Sequence, residues 1–343
     1  MQYEIVREQP LLRKNGTLAQ CGYAKRPILG YDRSAVKAGR LRIKEWDYYL
    51  VSNSDFAVAL TVADNSYMGL DSISLIDLRK PWQKTKSTIR LFPMGKTGLP
   101  ASSEAGHTES FCKHHFISFH REKDRRFLRF HMDQFYDHKT IAGEITLEDP
   151  KGDSMVIAMP FEKDPLAFYY NQKINCMPAK GYITLGDDTY LFHPDSAFGT
   201  LDWGRGVWTY KNTWYWGSCS GMLEGVPFGF NIGEGFGDTS QATENMIFYN
   251  HKAHKLSRVT FNIPTVNGKD NFMEPWFFTS DDNRFKMIFH PIIDRSAKMN
   301  AGLLCSDQHQ VFGRFTGRVI LDDGTALNIK NFTGFAEKVF NKW

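Results

Sequence analysis

At 343 residues, 42% of them hydrophobic and 23% charged, the chain is long for one domain and carries enough apolar residues to bury two cores. A net charge of +4 spread along the chain argues against a nucleic-acid footprint, and no run approaches the roughly 18 apolar residues of a membrane span. Five widely spaced cysteines (Cys21, Cys112, Cys176, Cys219, Cys305) with no C-x-x-C pair argue against a disulfide framework or a zinc ribbon and predict reduced thiols.

The opening MQYEIVREQPLLRKNG has charges where a secretory leader needs an apolar core, so a cytoplasmic chain is the expectation. A short helix is predicted around 34–42. Short apolar runs ended by polar punctuation then predict strands over 55–64 and 66–78. MGKTG (94–98) contains GKT, but Arg90 stands where a phosphate loop needs its first glycine, so a turn is expected. HHFISFHREKDRRFLRFHMDQF (114–135) reads as a hairpin. Its alternation puts Phe116, Ser118 and His120 on one face and Ile117 and Phe119 on the other, with REKDRR as a solvated tip.

GEITLEDPKGDSMVI (143–157), GYITLGDDTYLF (181–192) and GRVILDDGTALNI (317–329) share a pattern of strand, acidic turn and second strand, each legible as a hairpin. KINCMPAKG (173–181) and HPDSAFG (193–199) look like loops, and the domain boundary is expected near 195. The division is therefore 1–195 and 196–343, the second half carrying a tryptophan-rich motif. A second short helix is predicted near the C-terminus. Eight or more strands per half predict an all-β fold: two antiparallel barrels or curved sandwiches packed together.

LDWGRGVWTYKNTWYWGSCSG (201–221) holds Trp203, Trp208, Trp214 and Trp216, four of the chain's eight tryptophans. On a strand, Asp202, Gly204, Gly206, Trp208 and Tyr210 point one way, and Leu201, Trp203, Arg205, Val207 and Thr209 the other. On the next strand Trp214, Trp216, Ser218 and Ser220 share a face. Asn231 alternates with Phe and Ile on the strand after that. Glycine inside a strand marks a bulge or a close approach. Two readings stand. The aromatics are ordinary barrel core with Asp202 and Arg205 as a buried pair, or they wall an apolar pocket. A carboxyl in such a wall has a raised pKa and can donate a proton, and indole faces stabilise a cation.

GEGFG (233–237) lacks dinucleotide spacing. GSCSG (217–221) sits inside strand sequence, so Cys219 reads as a small core residue. The histidines are too scattered to chelate a metal. Glu244, Glu274 and Glu337 lie in or beside apolar blocks, with Arg205, Arg314 and Arg318 as available partners. Structural ion pairs and a site role stand level for them.

With TENMIF (243–248), EPWFF (274–278), FGRFTGRVILDDGT (312–325) and GFAEKVFNKW (334–343), the tryptophan stretch resembles a bacterial family catalogued as domain of unknown function 2804. LLRKNGTLAQCGYAKRPILGYDRS, EWDYYL and FAVALTVADNSYMG match its opening blocks. More distantly, the Asp-Trp-Gly core resembles the tandem lipocalin-like proteins related to carotenoid hydratases and cyclising enzymes. That likeness implies two lipocalin-like barrels around an aromatic-lined pocket. Their motif carries His or Asn after the Asp, which Asp202-Trp203-Gly204 lacks.

The expected function is binding of an apolar small molecule such as a lipid or isoprenoid. In the enzymatic version catalysis is cofactor-free, with Asp202 as acid and Arg205, Tyr210 and Glu244 beside it. Trp203, Trp208, Trp214, Trp216, Ser218, Asn231 and Trp276 are the expected ligand contacts. A non-catalytic carrier and a structural protein with its aromatics as core are the rivals, and sugar binding ranks behind them. No metal, no nucleic-acid partner and no integral membrane segment is expected, and the oligomeric state is left open.

Overall fold

The computed structural model describes residues 2–302 and 304–342. It is all-β, with two curled antiparallel sheets packed against each other. The first runs Trp82–Leu91, Met68–Asp77, Phe56–Asp64, Ile43–Ser52, Phe198–Val207, Asp164–Leu185, Lys139–Glu148, Arg125–Tyr136, His115–Glu122 and His107–Cys112 in spatial order. Its two ends approach across the barrel interior. Thr108 Oγ1 donates to Asp47 Oδ2 at 2.5 Å, Ser110 Oγ to Asp71 Oδ2 at 2.6 Å, and His115 Nε2 lies 3.1 Å from Asp71.

The second sheet runs Lys252–Lys255, Met246–Tyr249, Val226–Glu234, Lys211–Leu223, Ala326–Lys342, Leu304–Ile320, Phe285–Ala301, Trp276–Ser280 and Val259–Asn262. Each sheet curls around an apolar core, and Met246, Phe248 and Ala253 from the edge of the second sheet join the first core. A third layer, with Tyr48, Leu50, Ala59 and Ile76 from one sheet and Trp216, Phe312 and Phe335 from the other, fills the space between them.

The 114–135 hairpin forms as its alternation predicts, with Ile117 and Phe119 buried. Arg126, at the expected solvated tip, is instead buried, because Asp149 takes its guanidinium and the Ser103 carbonyl accepts from it at 2.9 Å. The two predicted helices are corrected. Residues 34–42 hold only the 3-10 turns Arg33–Ala35 and Arg40–Arg42, and the C-terminal stretch is the strand Ala326–Lys342. The loop expected at 173–181 is the middle of the 22-residue strand Asp164–Leu185, kinked by a bulge where Cys176 takes a φ of 61°. Of the three echoing hairpins the first does not form. Lys139–Glu148 and Met155–Phe161 both pair with Asp164–Leu185 rather than with each other.

The break expected near 195 precedes Phe198–Val207, which hydrogen-bonds in the first sheet between Ile43–Ser52 and Asp164–Leu185. The chain changes sheets after Val207 and enters the second at Lys211. Every residue of Phe198–Val207 is buried, because one face of the strand lies on the first core and the other against the second sheet.

Candidate functional site

Facing the second sheet, Asp202 sits directly opposite Lys173 on the neighbouring strand. Lys173 Nζ lies 2.8 Å from Asp202 Oδ2, and Asn171 Nδ2 donates to Asp202 Oδ1 at 2.6 Å. The same ammonium stands 3.8 Å from the centre of the Trp216 ring. Both charges are buried, and each has a partner, as a buried charge requires.

The glycines beside Asp202 have a local reason. A Cβ on Gly204 would lie 2.0 Å from Trp46 Cζ2, and one on Gly206 would meet the backbone oxygen of Phe168 at 2.6 Å and the Trp208 ring at 3.2 Å. Both glycines are thus close approaches, filled by the chain's own indoles and backbone. Trp46 meets Trp208 edge-on at 5.3 Å and stacks on Tyr169 at 6.2 Å. Trp208 and Trp214 each meet the Phe236 ring, at 4.9 and 5.3 Å.

These rings wall a cavity of about 730 Å³ between the two sheets. Three carboxyl groups lie in its lining: Asp202, Glu244 and Glu337. Glu337 Oε1 accepts from Trp214 Nε1 at 3.0 Å, and its Oε2 accepts from Gln310 Nε2 at 2.9 Å. Burial pushes the Glu337 carboxyl up to about 7, against the pull of the Trp214 hydrogen bond and of Lys173 and Arg295. Burial also raises Glu244, and the nearby Asp202 charge adds to the rise. Glu244 packs over Gly233, where a Cβ would lie 2.3 Å from its Oε1.

Five residues expected at the site from the sequence meet in this lining: Asp202, Trp208, Trp214, Trp216 and Glu244. Asn231 and Ser218 stand behind it. Asn231 accepts from Trp216 Nε1 at 2.7 Å and donates to the Glu244 carbonyl at 2.8 Å, and Ser218 Oγ accepts from Asn175. Arg205 and Trp203 face the other way, into the first core. Arg205 is fully buried, pairs with Asp47 at 3.0 Å, donates to the Pro100 carbonyl at 2.7 Å and lies 4.2 Å from the Trp203 ring. It pairs with neither Asp202 nor Glu244. Tyr210 is half-exposed beyond the strand's end, near Lys342. Trp276 is buried in the second core against Phe278 and Phe289.

Sequence reasoning missed Lys173, because KINCMPAKG (173–181) reads as loop. Its only signal is alternation, which puts Asn171 and Lys173 on one face of a strand. Glu337 was visible as an acid in an apolar block. Arg295, Gln310, Trp46 and Tyr169 carry no local signal, because they come from distant strands, and Phe236 lies in the bend after Val226–Glu234. Among the described residues no group of three or more His, Cys, Asp or Glu side chains is placed to hold a metal ion.

Over residues 2–343 the chain matches the family described as Domain of unknown function (DUF2804). No curated protein matches it in sequence. Two solved structures share its fold from end to end. Kievitone hydratase from Nectria haematococca is 11% identical, with a TM-score of 0.54 and 98% of each chain covered. A protein from Nitrosomonas europaea described as an AttH candidate is 11% identical, with a TM-score of 0.57, covering 96% of this chain and 98% of its own. At that identity the likeness concerns the fold, the tandem lipocalin-like arrangement, and no individual residue.

Proposed function

The chain belongs to the DUF2804 family, and on that premise we propose that it takes an unsaturated apolar small molecule into the cavity between its sheets and protonates it without a cofactor. One observation carries the reading: a buried, protonatable carboxyl, Glu337, set in a wall of indole rings. Apolar walls with a few placed polar groups suit a small-molecule site, and a carboxyl near neutral pKa suits a general acid.

In this reading Glu337 gives its proton to an alkene carbon. The electron pair of the double bond forms the new C–H bond, and the neighbouring carbon becomes cationic. Indole faces stabilise that charge, and the Trp216 face already holds an ammonium at 3.8 Å. The cation then takes up water, which returns a proton to the Glu337 carboxylate (hydration), or loses a neighbouring proton to it (isomerisation). Asp202, the acid expected from the sequence, serves instead as the fixed counter-charge of Lys173. Glu244 is a second protonatable group in the same wall. That one structural neighbour is named a hydratase agrees with this chemistry.

Solvent extraction of the purified protein, followed by mass spectrometry against a mock purification, identifies the compound class to assay. Turnover is then expected to fall as pH rises through about 7, and Glu337→Gln is expected to abolish it while binding survives. A pH-independent rate, or an active Glu337→Gln protein, removes Glu337 as the acid. Stoichiometric ligand with no turnover by the wild type at any pH leaves a carrier.

A further inference from the structure

Resting on the cavity reading above, we propose that the ligand is amphipathic and carboxylate-headed, and that Arg295 anchors its head. Arg295 lies on Phe285–Ala301 and lines the cavity. Its Nη1 donates to Ser74 Oγ at 2.7 Å, across the gap between the sheets. Its Nε is buried and has no partner. Among the described residues Arg295 forms no ion pair. Arg205, Arg126, Arg90 and Arg284 are each matched, with Asp47, Asp149, Asp71 and Asp322, and Arg314, whose Nε also has no partner, lies outside the cavity lining. A guanidinium in the lining of a low-dielectric cavity, with no ion-pair partner of its own, is suited to an anionic acceptor, and a carboxylate supplies one with a single matching charge.

The surroundings divide the cavity along its length. Beside Arg295 lie hydroxyls of the first sheet. Ser74 Oγ is 2.8 Å from Thr85 Oγ1, and Ser87 Oγ donates to Ser72 Oγ at 3.0 Å. The indole cluster of Trp46, Trp208 and Trp214 forms a separate, apolar part of the lining. Gln310 joins the two regions, for it pairs with Arg295 on one neighbouring strand and with Glu337 on the other. Two strand spacings thus separate the Arg295 and Glu337 backbones, about 10 Å. A head held at Arg295 leaves an apolar tail running past Glu337 toward the rings, with its unsaturation well removed from the carboxylate. Arg205, the arginine expected beside Asp202, is already neutralised by Asp47 in the first core.

The test compares cis-parinaric acid with its methyl ester, followed by energy transfer from tryptophan at pH 8. Wild type, Arg295→Met and Arg295→Lys are titrated side by side, with circular dichroism as the check on folding. The wild type is expected to bind the acid about tenfold more tightly than the ester, the size of one charge-assisted hydrogen-bonded contact. Arg295→Met is expected to bind both alike, at the ester's wild-type affinity, and Arg295→Lys to keep part of the preference. Equal binding of acid and ester by the wild type overturns the anchor and leaves the apolar cavity standing. Binding of neither overturns the cavity, and the anchor falls with it. Both arms use wild type, so a misfolded variant does not blunt the test.

Discussion

At the scale of single residues, Glu337 links the site's chemistry to the protein's stability. Its folded-state carboxyl is raised from 4.5 to about 7, so between those values the folded state holds a proton that the unfolded chain has released. Stability therefore falls as pH rises through that window, by about 3 kcal/mol for a shift of this size. Glu337→Gln, which keeps the shape without the charge, is expected to match the wild type near pH 4.5 and exceed it at pH 8. Urea unfolding at the two pH values measures this, and a gap that does not change with pH would sink it. Lys173 is the converse case. Lys173→Met leaves the buried Asp202 charge uncompensated and is expected to cost about 3–5 kcal/mol. Adding Asp202→Asn should recover part of that loss in a double-mutant cycle.

At the scale of elements, two adjacent strands explain which parts of the site were legible. Phe198–Val207 announces itself through Asp202, Gly204 and Gly206, and its two faces divide as period-2 alternation requires. What the glycines accommodate was not legible, because Trp46 and the Phe168 carbonyl come from paired strands far away in sequence. Gly204→Ala would put a methyl 2.0 Å from the Trp46 ring and drive that indole off its place. A loss of about 1–3 kcal/mol is expected, the usual range for overpacking. Thermal unfolding checks the stability, and weaker ligand binding in the same variant checks that the ring belongs to the wall. Asp164–Leu185, by contrast, was invisible at its centre. Asn171, Gln172, Lys173 and Asn175 are buried polar residues in a strand, and from Lys173 onward the pattern reads as loop because the partners lie on other strands.

Over the whole molecule, the same strand also joins the two sheets. Asn175 Nδ2 donates to Ser218 Oγ at 2.8 Å and lies 3.2 Å from the carbonyls of Cys219 and Phe230, all in the second sheet. From the other side, Gln2 Nε2 donates to the Leu256 carbonyl at 2.6 Å, and the Tyr3 amide to that of Gln241 at 2.8 Å. Asn175→Ala is expected to cost about 2 kcal/mol, because it strands buried acceptors at the joint. A shift in the urea midpoint reads this directly, and a variant within error of the wild type would mean that the apolar layer alone holds the sheets together. That layer, with Trp216, Phe312 and Phe335 against Tyr48 and Leu50, sets the separation that leaves the cavity open beside it.

The sequence by itself determined the all-β class, the strand periods, and a tryptophan-lined face around Asp202. Each of these follows from the order of neighbours along one strand, which a period of two makes readable. Only the tertiary structure decided which charge answers which: Lys173 for Asp202, Asp47 for Arg205, and, among the described residues, no ion pair for Arg295. It also decided which acid sits deepest among the rings. Pairing and burial depend on strand order in the sheet and on the packing of one sheet against the other. Residues 46, 173, 202, 295 and 337 meet only when both sheets have formed and closed on each other.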